Sequence, residues 1–204
     1  MTSTPGSVLV NESVHAGRLQ VATPPGGVLI WLIVLLEVFT FGIGLVAFML
    51  QGAAEPEVFR RGREALNQTI GLINTLVLLT GGWCMANGIS RLRANDARQA
   101  ERWTTAAALA ALGFLVLKGF EYAEKIGHGH TLHADTFFTL YWLLTGFHFL
   151  HVATALVVLL VMVWGLRRGR YNAVRHEDVE SSGIFWHLCD LIWLLLYPIL
   201  YLLR

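Results

Sequence analysis

The chain has 204 residues, 55% of them hydrophobic and 14% charged, with a mean hydropathy of +0.56. A soluble domain carries about 25% charged residues, so this composition excludes an ordinary soluble fold and points to an all-α, polytopic membrane protein. The net charge of +1 also excludes the broad basic surface that nucleic-acid binding needs.

Residues 1–26 read as a polar arm, with Glu12, His15, Arg18 and a turn-like "TPPGG". No cleavable signal is expected, because the apolar run after Gly27 is too long for a signal core. Residues 27–204 then read as one transmembrane bundle. Five runs can each cross about 30 Å of hydrocarbon as a helix; they are expected near 28–50, 69–89, 103–120, 137–164 and 183–203. The third is short and rich in alanine. The segment "QGAAEPEVFRRGREALNQ" between the first two spans reads as a loop.

Lys and Arg in short loops set orientation. Arg18, Arg91, Arg93, Arg98, Arg102, Arg167, Arg168, Arg170 and Arg175 fall on one side; Arg60, Arg61, Arg63, Lys118, Lys125 and Arg204 fall on the other. The excess places the N-terminus in the cytoplasm and the C-terminus outside it. Arg167, Arg168 and Arg170 are also candidate contacts for anionic lipid headgroups. Cys84 and Cys189 lie inside apolar runs, where a thiol acts as a small hydrophobe. "HGHTLH", between the third and fourth spans, reads as a solvated loop, although His128, His130 and His133 are of metal-binding type.

An ionisable side chain near the bilayer centre costs roughly 2.5–3.5 kcal/mol on insertion scales, which singles out Glu37, His148, His151, His187 and Asp190. His148 and His151 are three residues apart in a helix and so are His187 and Asp190, which puts each pair on one face. Alternating spans bring Glu37 to the depth of His148. The simplest arrangement turns all five inward as one hydrogen-bonded cluster. Three other readings compete: haem ligation by histidine, a metal held by Glu37, His148 and His151, and a proton or ion pathway through Glu37. The first corresponds to a haem b membrane anchor and the last to a small transporter. Lys118, Glu121 and Glu124, at the end of the third span, are expected to snorkel to the interface.

Five segments together carry a family resemblance: "LLEVFTFGIGLVAF" with Glu37, "LINTLVLLTGG" with Asn74 and Thr75, "LGFLVLKGFEY" with Glu121 and Tyr122, "TGFHFLHV" with His148 and His151, and "HEDVESSGIFWHLCDLIWLLLYPILY" with His176, Glu180, Trp186, His187, Asp190, Trp193 and Tyr197. They resemble subunit III of the haem–copper oxidases, the cytochrome c oxidase subunit III family. Longer members have seven helices, and this chain has room for the last five, as in forms that accompany nitric oxide reductases or some terminal oxidases. Asn87, Lys118, Phe149 and Gly165 depart from the usual family residues at their positions.

The resemblance implies a non-catalytic accessory subunit in a bacterial inner membrane, with a cytoplasmic N-terminus and a periplasmic C-terminus. It implies no catalytic residue, metal or cofactor of the chain's own. Haem, with copper or iron, would belong to the partner, catalytic subunit I of a haem–copper oxidase or nitric oxide reductase. The subunit would support assembly, stability and sustained electron transfer and proton uptake, with phospholipid as a further ligand.

Overall fold

The computed structural model describes residues 26–203, so all of the expected N-terminal arm except Gly26 lies outside the described residues. Six helices follow one another: α1 (Gly27–Ala54), α2 (Pro56–Glu64), α3 (Gln68–Arg93), α4 (Ala97–Gly127), α5 (Thr136–Arg167) and α6 (Glu177–Tyr197). A π-helical turn over Pro198–Leu202 continues α6. Five of these are long and apolar enough to cross a membrane, as the sequence requires.

Their starts are written in the short polar links. Asn67 Oδ1 accepts from the backbone N–H of Thr69 and Ile70 at the start of α3. Asp96 caps α4 through Gln99 N–H, and Asp135 caps α5 through Phe138 N–H. Pro56 opens α2, where its missing N–H costs nothing. At Pro198 the same missing N–H falls in a continuing helix, and the chain widens into the π turn there.

Two expectations need correction. The third span, read as 103–120, is the α4 helix of 31 residues; its alanines favour helix, and its charged ends carry it beyond the apolar stretch. The segment between the first two spans is not simply a loop. It contains α2, whose Phe59 meets Phe48 of α1 and Phe137 of α5 at ring-centroid distances of 4.9 and 5.4 Å.

Helices α3, α4, α5 and α6 form the core, and α1 packs at its edge against α5 and α6. Each core helix buries one seam spaced alternately by three and four residues. On α4 the seam runs Ala100, Thr104, Ala107, Ala111, Phe114, Lys118, Glu121, Lys125. On α5 it runs Phe138, Tyr141, Thr145, His148, Val152, Ala155, Leu159, Met162, Leu166. Trp186, Cys189, Trp193, Leu196 and Leu200 continue the pattern along α6 and its π turn. A repeat of about 3.5 residues keeps such a seam facing its neighbours along the whole helix.

Close approach comes from α3. A Cβ placed on Gly81 would lie 2.6 Å from Trp186 Cζ2, and one on Gly71 would lie 2.7 Å from Tyr197 Cε2. The large rings of α6 therefore rest directly on the α3 backbone. This is the small-residue packing that membrane helices use where no hydrophobic force drives association.

Candidate functional site

Among the described residues, a fully buried polar assembly lies at the end of the core shared by α4, α5 and the π turn. Lys118 and Glu121 are fully buried. Lys118 Nζ donates to Glu121 Oε2 (3.0 Å), to the Tyr141 hydroxyl (3.0 Å) and to the Tyr201 hydroxyl (2.7 Å). Both tyrosines in turn donate to Glu121 Oε1, at 3.0 and 2.7 Å. The ammonium has three N–H groups and all three are used. Rings of Tyr122, Tyr141, Trp193 and Tyr201 surround Nζ at 5.0 to 5.4 Å, adding cation–π attraction.

The snorkelling expected of Lys118 and Glu121 therefore does not occur. Both occupy seam positions of α4, seven and ten residues beyond Ala111. The seam turns them inward whatever their charge, and the two tyrosines neutralise the cost. The signal for their burial is periodicity, because the spacing that buries Ala107 and Ala111 continues unchanged through Phe114, Lys118 and Glu121.

The five singled-out residues do not form one cluster. Glu37 Oε2 lies 3.1 Å from His151 Nε2, joining α1 to α5, with the side chains 17% and 12% exposed. His151 Nδ1 lies 2.8 Å from the Phe147 carbonyl oxygen. A carbonyl only accepts, so Nδ1 carries a proton. Glu37 Oε2 has no hydrogen-bond partner among the described residues, so its approach to Nε2 is a close polar contact. This pair links α1 to α5 within the membrane span.

His148 stands apart from it. It is fully buried, and among the described residues neither ring nitrogen has a hydrogen-bond partner. Its ring stacks on Trp193 at 5.2 Å and meets Phe114 edge-on at 5.6 Å and Phe41 edge-on at 6.4 Å. The expected hydrogen bonding of His148 to the other four is thus replaced by aromatic packing, since its seam position points at rings of α1, α4 and α6.

His187 is a second correction, because its side chain is 48% exposed while that of Asp190 is 8% exposed. The α6 seam runs through Trp186 and Cys189, and His187 is one residue off it. Its Nδ1 lies 3.6 Å from Asp190 Oδ2, beyond a firm hydrogen bond. Asp190 itself faces α3, where only Gly82 leaves room for its carboxylate.

At the opposite end of the bundle, Arg93 pairs with Glu180 at 2.6 Å and His176 Nε2 lies 3.0 Å from the same Glu180 oxygen. Arg167 pairs with Glu101 at 2.8 Å. Arg168 and Arg170 sit over the Trp164 ring at 4.0 and 4.6 Å. In the core, Trp193 Nε1 donates to Thr75 Oγ1 at 2.9 Å, linking α6 to α3.

Comparison with known proteins agrees with this architecture. The family model described as "Cytochrome c oxidase subunit III" matches residues 15–203. "Cytochrome c oxidase subunit 3" of Thermostichus vulcanus is 32% identical over 178 residues, covering 87% of this chain and 86% of that protein. The protein of the same name from Synechocystis sp. is 28% identical over 180 residues, covering 87% and 74% respectively. "Probable cytochrome c oxidase subunit 3" of Mycobacterium leprae is 26% identical over 207 residues, covering the whole of both chains.

Proposed function

The chain belongs to the cytochrome c oxidase subunit III family, and we propose that it is the non-catalytic accessory subunit of a respiratory terminal oxidase. Its partner is the catalytic subunit I, which carries the haem and copper. The observation that carries this reading is how the intramembrane polar groups are used. Lys118, Glu121, Tyr141 and Tyr201 satisfy one another across three elements, and aromatic rings from three helices enclose His148. Such groups join helices together.

An oxygen-reducing partner is favoured over one that reduces nitric oxide, because relatives aligned over most of their length are named for cytochrome c oxidase. The intramembrane carboxylate of Glu37, 3.1 Å from His151 Nε2, supports a part in sustaining proton uptake by the partner. Eight arginines gather at the end of the bundle that carries the α3–α4 and α5–α6 links, against Arg60, Arg61 and Arg63 on the α2 side, which supports a cytoplasmic position for the first end. The C-terminus then lies in the periplasm of a bacterial inner membrane. Arg168 and Arg170, held over Trp164, meet anionic headgroups at the cytoplasmic surface.

Affinity purification of the tagged chain in mild detergent tests the reading. The expected preparation contains a haem–copper catalytic subunit, shows its Soret band and consumes oxygen. The chain stripped of that partner is expected to show no haem. A haem retained by the chain alone and lost in His148→Ala would overturn the proposal in favour of a haem b anchor.

A further inference from the structure

The π turn over Pro198–Leu202 closes the end of the bundle where Lys118 and Glu121 lie. Its Leu200 and Tyr201 are buried. The turn has a seat on α3. Gln68 Nε2 donates to the Tyr201 carbonyl oxygen at 3.0 Å, and a Cβ placed on Gly71 would lie 3.2 Å from Tyr201 Cδ1. From that seat the Tyr201 hydroxyl makes the shortest contacts of the charged pair, 2.7 Å to Lys118 Nζ and 2.7 Å to Glu121 Oε1. The corresponding contacts of Tyr141 are 3.0 Å each.

These partners reach the site from very different points along the chain. Glu121 and Tyr141 follow Lys118 by 3 and 23 residues, whereas Tyr201 follows it by 83. A chain that has packed α4 against α5 but has not docked the turn leaves one ammonium N–H without its acceptor and Glu121 without its shortest donor. Charged groups in that condition are costly inside a bilayer and are drawn to water. Water is near, because the apolar run of α4 ends at Phe120, two residues past Lys118, and a lysine stem can carry its ammonium to the interface. The pair therefore has two settings. It faces the interface when the turn is away, and it faces Tyr141 and Tyr201 when the turn is docked.

We propose that the Pro198–Leu202 turn is a latch, whose docking through the Tyr201 hydroxyl draws Lys118 and Glu121 from the interface into the bundle and fixes the end of α4. Tyr201 is the positioning residue. Its hydroxyl accepts from the ammonium, donates to the carboxylate and belongs to the element that docks. Tyr141 makes the same two kinds of bond but is fixed within α5.

Lys118 and Lys125 are the only lysines of the chain, which gives the latch a direct readout. The full-length chain in mild detergent is treated briefly with a membrane-impermeant sulfonated N-hydroxysuccinimide ester, and labelling of each lysine is read by peptide mass spectrometry. Lys125, whose Nζ donates to the Ala65 carbonyl oxygen at 2.7 Å, has its own acceptor outside the turn and reports on the fold as a whole. Wild type is expected to label slowly at both. Tyr201→Phe keeps the ring and removes the hydroxyl; it is expected to raise Lys118 labelling at least tenfold and to leave Lys125 unchanged. Tyr141→Phe removes the matching bonds from the fixed side and is expected to raise Lys118 labelling less than threefold. Equal rises in the two variants would overturn the proposal, because either tyrosine would then serve the pair alike. Continued protection of Lys118 in Tyr201→Phe would overturn it too, as would a parallel rise at Lys125, which marks general unfolding. Amide hydrogen exchange gives a second measurement. Exchange over residues 198–202 is expected to quicken in Tyr201→Phe and to match wild type in Tyr141→Phe, and the reverse order would count against the latch.

Discussion

Lys118 Nζ donates to the Tyr201 hydroxyl at 2.7 Å, a bond that ties the middle of the chain to its end across 83 residues. Tyr201 reaches this position because the chain widens into a π turn at Pro198. Removing the ammonium leaves the Glu121 carboxylate buried with only the two tyrosines as partners. Breaking a buried ion pair from one side costs about 3–5 kcal/mol, whereas replacing both partners is often close to neutral. Lys118→Met is therefore expected to lower stability by about 3–5 kcal/mol, and adding Glu121→Leu is expected to restore much of it. Denaturant unfolding in mixed micelles measures both, and an additive double variant would contradict the coupling.

His148 is expected to respond to shape rather than to hydrogen bonding. Its ring fills a slot between Trp193, Phe114 and Phe41, with no partner for either nitrogen among the described residues. His148→Phe is expected to be neutral or stabilising in thermal unfolding. His148→Ala opens a cavity in a close-packed core and is expected to cost about 2–5 kcal/mol. A loss in the Phe variant as large as in the Ala variant would mean that an imidazole nitrogen matters.

Much of the architecture was legible because a bilayer constrains it strongly. Apolar length sets the number of spans, and Asn67, Asp96 and Asp135 mark helix starts by ordinary capping chemistry. The inward or outward direction of single residues was less legible. Pairing His148 with His151, and His187 with Asp190, by three-residue spacing gave each pair one shared face. The deciding feature is the seam, which takes Trp186 and leaves His187 outside, and takes His148 while setting His151 toward Glu37. Lys118 is the opposite case, since its charge points outward while its seam position turns it inward. Helix α2 is not legible in the sequence because nine polar-rich residues carry no spanning signal.

The contact of α3 with α6 depends on Gly81. An added methyl would meet Trp186 Cζ2 at 2.6 Å and Ala110 Cβ at 3.0 Å, and neither ring nor backbone can retreat without shifting a helix. Overpacking of this kind costs about 1–3 kcal/mol. Gly81→Ala is expected to fall in that range, while Gly146→Ala, which meets nothing within 4 Å, is expected to be neutral or slightly stabilising through helix propensity. Melting temperatures of the two variants in the same detergent decide the matter, and equal values would refute the close approach.

Glu37 and His151 are expected to be coupled to each other and not to His148. Glu37 Oε2 and His151 Nε2 lie 3.1 Å apart across α1 and α5, whereas His148 packs among aromatic rings. Polar contacts between helices inside membrane bundles average about 0.6 kcal/mol and reach roughly 1.7. A double-mutant cycle with Glu37→Leu and His151→Leu is therefore expected to give a coupling of about 0.6–1.7 kcal/mol. The cycle of Glu37→Leu with His148→Phe is expected to give a value within about 0.5 kcal/mol of zero, as for sites that share no partner. Equal coupling of Glu37 to both histidines would restore the single polar cluster that residue spacing alone suggests.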